Sequence, residues 1–197
     1  MKLSTIVRPL SVAALAALLA GASIAQDKTD EAAPRVRVET TLGDFVIELN
    51  PSRAPLTVES FLKTVDSGFY AGTIFHRVIG GFIVQGGGYT ADLELKPVDE
   101  HIVNESGNGL SNMRGTVGMA RAEAPHSATT QFYVNIADNL DLNPRPTRWG
   151  YAVFGKVVEG MDVVDEIGQK PTGPQGPFDR GVPVEPVVIK NVVLLTD

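Results

Sequence analysis

Apolar and polar side chains alternate from residue 36 onward, on both sides of a short turn. The apolar positions are Val36 and Val38, then Phe45, Ile47 and Leu49, and the turn is Leu42-Gly43-Asp44. Successive side chains of a β-strand point to opposite faces, so this period of two predicts an antiparallel hairpin with one buried face.

Two stretches follow the helical period instead. The first predicts a helix from Pro55, which suits a first turn, to a C-terminal cap at Gly68. Its apolar positions, at i, i+3, i+4 and i+7, are Val58, Phe61, Leu62 and Val65. The second is a short helix at residues 161–167, with Met161, Val164 and Ile167 on one side.

Short runs rich in β-branched and aromatic residues, bounded by Gly, Asn, Asp or Pro, predict further strands. They are residues 73–78, 82–85, 116–119, 132–136 and 152–158, followed by a last strand at 187–195. Residues 171–186 contain five prolines and three glycines, which predict a rigid, irregular loop. Many short strands and two helices favour a mainly β chain of antiparallel strands, although periodicity does not give the strand order or the closure of a barrel.

The N-terminal residues have the pattern of a secretory signal peptide. Lys2 and Arg8 precede an apolar stretch at residues 10–22, and Ser23-Ile24-Ala25 supplies small residues for cleavage near Ala25. A membrane anchor is the alternative, but the stretch is shorter than the ~20 residues that a spanning helix needs. We therefore expect a signal peptide at 1–25, a flexible leader at 26–34 and one domain at 35–197.

Composition narrows the function further. Loss of Lys2 and Arg8 with the signal peptide would move the formal charge from -6 to -8, which disfavours nucleic acid as a partner. The absence of Cys excludes disulfides and thiolate catalysis. His76, His101 and His126 are scattered without ligand spacing, so no metal site is predicted.

Three blocks carry a family resemblance. Residues 75–88 read FHRVIGGFIVQGGG, residues 115–121 with 130–135 read GTVGMAR and TQFYVN, and residues 150–161 read GYAVFGKVVEGM. In this order and spacing they resemble the cyclophilin family of peptidyl-prolyl cis-trans isomerases, and are most similar to the periplasmic cyclophilins of Gram-negative bacteria. The resemblance extends from about Val36 to Leu195. It implies an eight-stranded closed antiparallel barrel capped by two helices. It also implies a monomer in the periplasm, without a cofactor and without membrane association after cleavage. The implied partners are unfolded or extended proline-containing polypeptides.

Rotation about an X-Pro bond breaks no covalent bond, but amide resonance opposes it with a barrier of ~18-20 kcal/mol. A catalyst must favour the twisted amide, in which the prolyl nitrogen can accept a hydrogen bond. Arg77 is the predicted catalytic donor because a guanidinium is always charged and carries several N–H groups in a rigid fork. The family's catalytic arginine has the same motif position.

The resemblance also assigns the substrate-binding residues. Four residues match family positions around the proline ring: Phe82, Ile83, Tyr133 and Leu142. Gln85 and Gln131 match positions that contact substrate and orient the catalytic arginine. Ala120 and Arg121 match the segment whose backbone pairs with the peptide, and Tyr151 matches a position at the pocket rim. Taken singly, an apolar strand residue more often belongs to the core, and a glutamine in such a strand to a partnered buried amide. His76 is predicted to be structural near the site, because neighbours in a regular strand point to opposite faces.

Two residues depart from the family pattern. Gly80 replaces a proline common in the signature, and it could loosen the strand that carries Arg77. Asp141 stands where relatives carry an aromatic residue, so we expect weak binding of the cyclic peptide drug cyclosporin.

Two other function classes are alternatives to an isomerase. A proline-peptide binding module or holdase on the same barrel would have negligible turnover, and it would have less need for a charged donor such as Arg77, so the sequence favours the enzyme. A serine hydrolase would need a nucleophile elbow of the type Gly-x-Ser-x-Gly, and the sequence has none.

Overall fold

The computed structural model describes Met1 and residues 33–196. The predicted signal peptide, at 1–25, and most of the predicted leader, at 26–34, fall on residues outside those described. Within residues 33–196, neither helix has the length and hydropathy needed to cross a membrane.

The described domain is mainly β, as predicted. Its strands are β1 (Arg35–Thr40), β2 (Asp44–Leu49), β3 (Thr73–Ile74), β4 (Arg77–Ile79), β5 (Ile83–Gly86), β6 (Thr116–Met119), β7 (Phe132–Asn135), β8 (Val153–Glu159), β9 (Thr172–Gln175), β10 (Phe178–Pro183) and β11 (Val188–Leu195). Two helices, α1 (Pro55–Asp66) and α2 (Met161–Gly168), and a 3-10 helix at Leu140–Leu142 complete it.

Nine strands form one antiparallel sheet in the order β3-β11-β1-β2-β8-β6-β7-β5-β4. The predicted hairpin is confirmed as β1 and β2, with Val36 opposite Ile47 and Val38 opposite Phe45. The five side chains of the predicted apolar face are buried in the core, and a slip of one residue would turn all five away from it, so their burial fixes the register. Val46, on the other face of β2, is buried as well.

The predicted mainly β, antiparallel fold with two helices is confirmed, but the number of strands and the way the sheet closes differ slightly from the predicted eight-stranded closed barrel. Within the described residues, the nine-stranded order ends at β3 and β4, two short strands separated only by Phe75 and His76. Both of these residues are buried, whereas a regular strand would send neighbours to opposite faces. The predicted strand at 73–78 therefore breaks, and the chain itself, rather than a hydrogen-bonded ladder, joins the two edges of the curled sheet.

Helix α1 packs its apolar side into the sheet. Phe61 is 1% exposed, and its ring centroid lies 5.4 Å from that of Tyr70, 5.8 Å from that of Phe132 and 5.1 Å from that of Phe154. The predicted helix is confirmed, and Gly68 follows its end with a φ of +69°, a conformation that favours glycine. Both ends of the amphipathic segment thus lie where the sequence placed them.

The prediction of an irregular loop at 171–186 is wrong, because β9 and β10 pair there as a separate two-stranded ribbon. Each ribbon strand has a single neighbour in the described pairing, so half of its backbone N–H groups are not needed for the ladder and proline is tolerated. Strand β10 lies against β4, and the Phe178 ring packs on His76 and Tyr89. The ribbon therefore supports the strand that carries Arg77.

Candidate active site

One cleft of about 310 Å³ collects nine of the eleven residues predicted for the site. They are Arg77, Phe82, Ile83, Gln85, Ala120, Arg121, Tyr133, Leu142 and Tyr151. Gln131 and His76, the other two, lie beside it without lining it. The cleft is of the size that small-ligand sites usually have.

Strand register explains why distant residues meet in this cleft. Arg77 in β4 lies opposite Gln85 in β5, and Gln85 lies opposite Tyr133 in β7. Residues directly opposite each other in a sheet share a face. The cation, the amide and the aromatic ring therefore form one row across three strands.

Two glutamines hold the guanidinium. Arg77 Nη1 donates a hydrogen bond to Gln85 Oε1 at 3.2 Å, and Gln85 Nε2 donates to Gln131 Oε1 at 3.0 Å. In the described part of the chain this is the one bond from the Arg77 side chain to protein, so its other N–H groups are available to a ligand. Gln131 is therefore connected to Arg77 through Gln85, and its predicted role in orienting Arg77 stays a prediction.

Burial lowers the pKa of Arg77 from its ordinary value, and the nearby positive charge of Arg180 lowers it further. A guanidinium starts so far above neutrality that it stays charged throughout the physiological range. The cleft thus presents a permanent, partly desolvated cation, and a partly desolvated charge forms stronger hydrogen bonds than one in water.

His76 does not line the cleft. It is 2% exposed and its ring lies 4.6 Å from that of Tyr89 and 5.3 Å from that of Phe178. Burial lowers the pKa of His76 to about 4, and the charge of Arg77 acts in the same direction. The imidazole is therefore neutral at physiological pH and packs as an aromatic side chain.

The pKa of His76 predicts an acid-sensitive fold. Between about pH 6.5 and about pH 4, His76 is protonated in the unfolded chain but neutral in the folded chain. The free energy of unfolding therefore falls as the pH falls through this range. At 1.36 kcal/mol per pKa unit, the loss from this one group is roughly 3 kcal/mol. Urea unfolding at pH 7 and pH 4.5 measures it; His76→Phe should reduce the difference and the exposed His101→Asn should not. An unchanged pH difference in His76→Phe would refute the assignment.

Arg121 uses its side chain where only a backbone role was predicted. Its guanidinium donates to the carbonyl oxygens of Gly150 at 3.1 Å, Trp149 at 2.8 Å, Ala122 at 2.9 Å and Glu123 at 3.1 Å. It also lies 4.6 Å from the centre of the Tyr151 ring. Arg121 therefore fastens the segment that carries Tyr151 against the end of β6.

The predicted peptide-pairing segment is joined to the orienting glutamine. The Ala120 N–H donates to the Gln131 carbonyl oxygen at 2.9 Å. A pairing of this backbone with substrate stays a prediction.

A cluster of buried asparagines behind the cleft was not predicted. The asparagine cluster consists of Asn112, Asn135, Asn139 and Asn143, and the first three are at most 8% exposed. Tyr133 Oη donates to Asn112 Oδ1 at 2.6 Å, and Asn139 Nδ2 donates to the Phe82 carbonyl oxygen at 2.8 Å. Asparagine near turns is common, so its frequency in this region gave no signal that these side chains meet.

The two departures from the family pattern have local explanations. The Asp141 side chain is 90% exposed, pairs with Arg145 and does not line the cleft. Gly80 occupies the second position of a turn that the Phe82 N–H closes onto the Ile79 carbonyl oxygen at 3.0 Å, with Gly81 next at a φ of +70°. This is the turn position where proline is common. The turn and its hydrogen bond thus form with glycine at position 80, and the loosening of the Arg77 strand stays a prediction.

Comparison with known proteins agrees with this geometry. Residues 35–194 match the family model described as cyclophilin type peptidyl-prolyl cis-trans isomerase/CLD. Among curated proteins, the chain is 52% identical over 164 residues to peptidyl-prolyl cis-trans isomerase cyp18 of Streptomyces antibioticus, covering 81% of this chain and 98% of that one. It is 49% identical to peptidyl-prolyl cis-trans isomerase B of Escherichia coli, with 81% and 98% covered.

Solved structures are also similar. A cyclophilin type peptidyl-prolyl cis-trans isomerase of Cryptosporidium parvum superimposes with a TM-score of 0.67 at 27% identity, covering 84% of this chain and 99% of that one. A second structure of that protein, obtained in the presence of the dipeptide Ala-Pro, has a TM-score of 0.67 at 28% identity, with 83% and 99% covered.

Proposed function

The chain belongs to the cyclophilin-type peptidyl-prolyl cis-trans isomerases, and we propose that it turns X-Pro bonds of exported polypeptides by donating a hydrogen bond from Arg77. The observation that carries this mechanism is the row of Arg77, Gln85 and Tyr133, which sets an oriented cation beside an aromatic wall. A proline ring seated against that wall would place its nitrogen near the guanidinium. Rotation of the bond frees the nitrogen lone pair, and Arg77 binds it.

The required stabilisation is larger than one residue supplies. Uncatalysed rotation takes tens to hundreds of seconds, so a millisecond step needs about ten-thousandfold acceleration, or about 5.5 kcal/mol. A charge-assisted hydrogen bond contributes about 1.5–3 kcal/mol. The remainder has to come from placing the proline against Phe82, Ile83 and Leu142, so the apolar wall is as much part of the mechanism as the cation.

Export and assistance in folding are part of the same proposal. The basic start, short apolar stretch and small residues before position 26 support secretion to the periplasm. There the substrates would be exposed X-Pro bonds of proteins that are still unfolded, handled by a monomer without a cofactor. N-terminal sequencing of protein from the periplasmic fraction tests the cleavage near Ala25, and recovery of the uncleaved chain would contradict it.

The test of the proposed function is the cis-to-trans relaxation of an Ala-Pro peptide with the mature protein at pH 6, 7 and 8. Arg77 stays charged and His76 neutral over this range, so we expect fast relaxation that changes little with pH. Relaxation no faster than without protein would instead favour the binding module. A steep rate change near pH 6.5 would implicate a histidine.

A further inference from the structure

The ring of Tyr133 lines the cleft while its hydroxyl is anchored outside it. Its Oη donates to Asn112 Oδ1 at 2.6 Å, and Asn112 is fully buried and does not line the cleft. Burial raises the pKa of Tyr133, and the neighbouring Tyr151 raises it further, so the hydroxyl keeps its proton and remains a donor. The far end of the ring is thus tied to a fixed point.

The tyrosine fits because residue 118 has no side chain. Gly118 in β6 lies opposite Tyr133 in β7. A Cβ atom on Gly118 would lie 2.2 Å from Tyr133 Oη, 2.3 Å from Cζ and 2.8 Å from Cε1, all closer than real contacts allow. Gly118 has no left-handed φ, so the space, and not the backbone conformation, requires glycine there.

Asn112 also connects the tyrosine to the segment that carries Leu142, another lining residue of the cleft. Its backbone N–H and its Nδ2 donate to Asn143 Oδ1 at 2.8 and 3.1 Å, and its carbonyl oxygen accepts from the Asn139 N–H at 2.7 Å. Asn139 and Asn143 stand on either side of the 3-10 helix that carries Leu142. One buried residue therefore sets the positions of both Tyr133 and Leu142.

We propose that Gly118, Tyr133 and Asn112 form a positioning unit that sets the depth of the proline cleft, with Gly118 as the residue that positions the Tyr133 ring. The inference rests on the proposed function. Any side chain at position 118 has to displace the Tyr133 ring, because β6 and β7 are held together by their ladder. A ring pushed toward the cleft takes up the volume that the proline needs, and substrate binding weakens more than turnover.

The test is a set of variants at these positions, assayed with an Ala-Pro peptide. Gly118→Ala should lower kcat/KM at least tenfold, mostly through a higher KM. Gly107→Ala is the matched control, since no atom lies within 4 Å of an added Cβ there, and it should behave as wild type. Gly118→Ala/Tyr133→Phe should have a kcat/KM at least fivefold higher than that of Gly118→Ala. Without the hydroxyl, the ring is no longer bonded to Asn112 and can tilt away from the added methyl group.

Wild-type kcat/KM in Gly118→Ala would overturn the proposal, and so would a double variant no better than the single one. If Gly118→Ala does not fold, recovery of a cooperative thermal transition in the double variant supports the unit and its failure overturns it. An inactive wild type would count against the proposed function instead. The thermal midpoints of the same variants would then still decide whether positions 118 and 133 are coupled.

Discussion

Replacing Arg77 with alanine is expected to lower kcat/KM for an Ala-Pro peptide by about 10- to 150-fold. This range is the loss of one charge-assisted hydrogen bond of about 1.5–3 kcal/mol, at 1.36 kcal/mol per factor of ten. The fold should persist, because within the described residues the Arg77 side chain bonds only to Gln85. Relaxation assays on both proteins at equal concentration measure the ratio.

Two control variants define the role of Arg77. Arg77→Lys keeps the charge but loses the planar fork, so it should recover only part of the activity. Arg37→Ala removes an exposed arginine of β1 that does not line the cleft, and it should act as wild type. Full activity in Arg77→Ala would be consistent with an isomerase but would refute the assignment of Arg77 as the hydrogen-bond donor.

Replacing Phe61 with alanine is expected to destabilise the domain by about 3–5 kcal/mol, the cost of a large cavity in a packed core. Phe61 is 1% exposed and its ring packs against three other aromatic rings. One of those rings belongs to Phe132 in β7, next in sequence to the cleft residue Tyr133, so the cavity would lie against the other face of a strand that contributes to the cleft. Urea unfolding followed by circular dichroism measures the difference.

Leu56→Ala is the matched control on the same helix, because Leu56 is 46% exposed. It should change the free energy of unfolding by less than about 1 kcal/mol. A loss below about 1 kcal/mol in Phe61→Ala would mean that the core around α1 rearranges to fill the space. That result would contradict the rigid packing described above.

The spacing of apolar residues predicted the elements that bury one face in the core. The hairpin around Gly43 and helix α1 appear where period and caps placed them, since burial of one face is written into the spacing of apolar residues. The prediction of one continuous strand at 73–78 was wrong, because Phe75 and His76 are both buried, whereas alternation places neighbouring residues on opposite faces. The ribbon of β9 and β10 was not predicted, because the five prolines at residues 171–186 are typical of irregular loops and the pairing of its two strands leaves no periodic pattern in the sequence.

The cleft was predictable to a different degree. Its lining follows the family motifs, and Arg77, Gln85 and Tyr133 meet because their strands pair in register. The contacts that support the lining join residues that are far apart in the sequence. Asn112 bonds to Tyr133 across 21 positions, and Arg121 bonds to Trp149 and Gly150 across 28 and 29. Such contacts depend on loop conformations, which no local periodicity specifies.

The central claim is that Arg77 binds the twisted amide more strongly than either planar isomer. Nuclear magnetic resonance exchange measurements on an Ala-Pro peptide give the dissociation constant and the rate of isomerisation on the protein separately, for wild type and Arg77→Ala. We expect the rate of isomerisation on the protein to be at least tenfold lower in Arg77→Ala, with a dissociation constant within about threefold of the wild-type value. A dissociation constant that rises tenfold with an unchanged rate would contradict it.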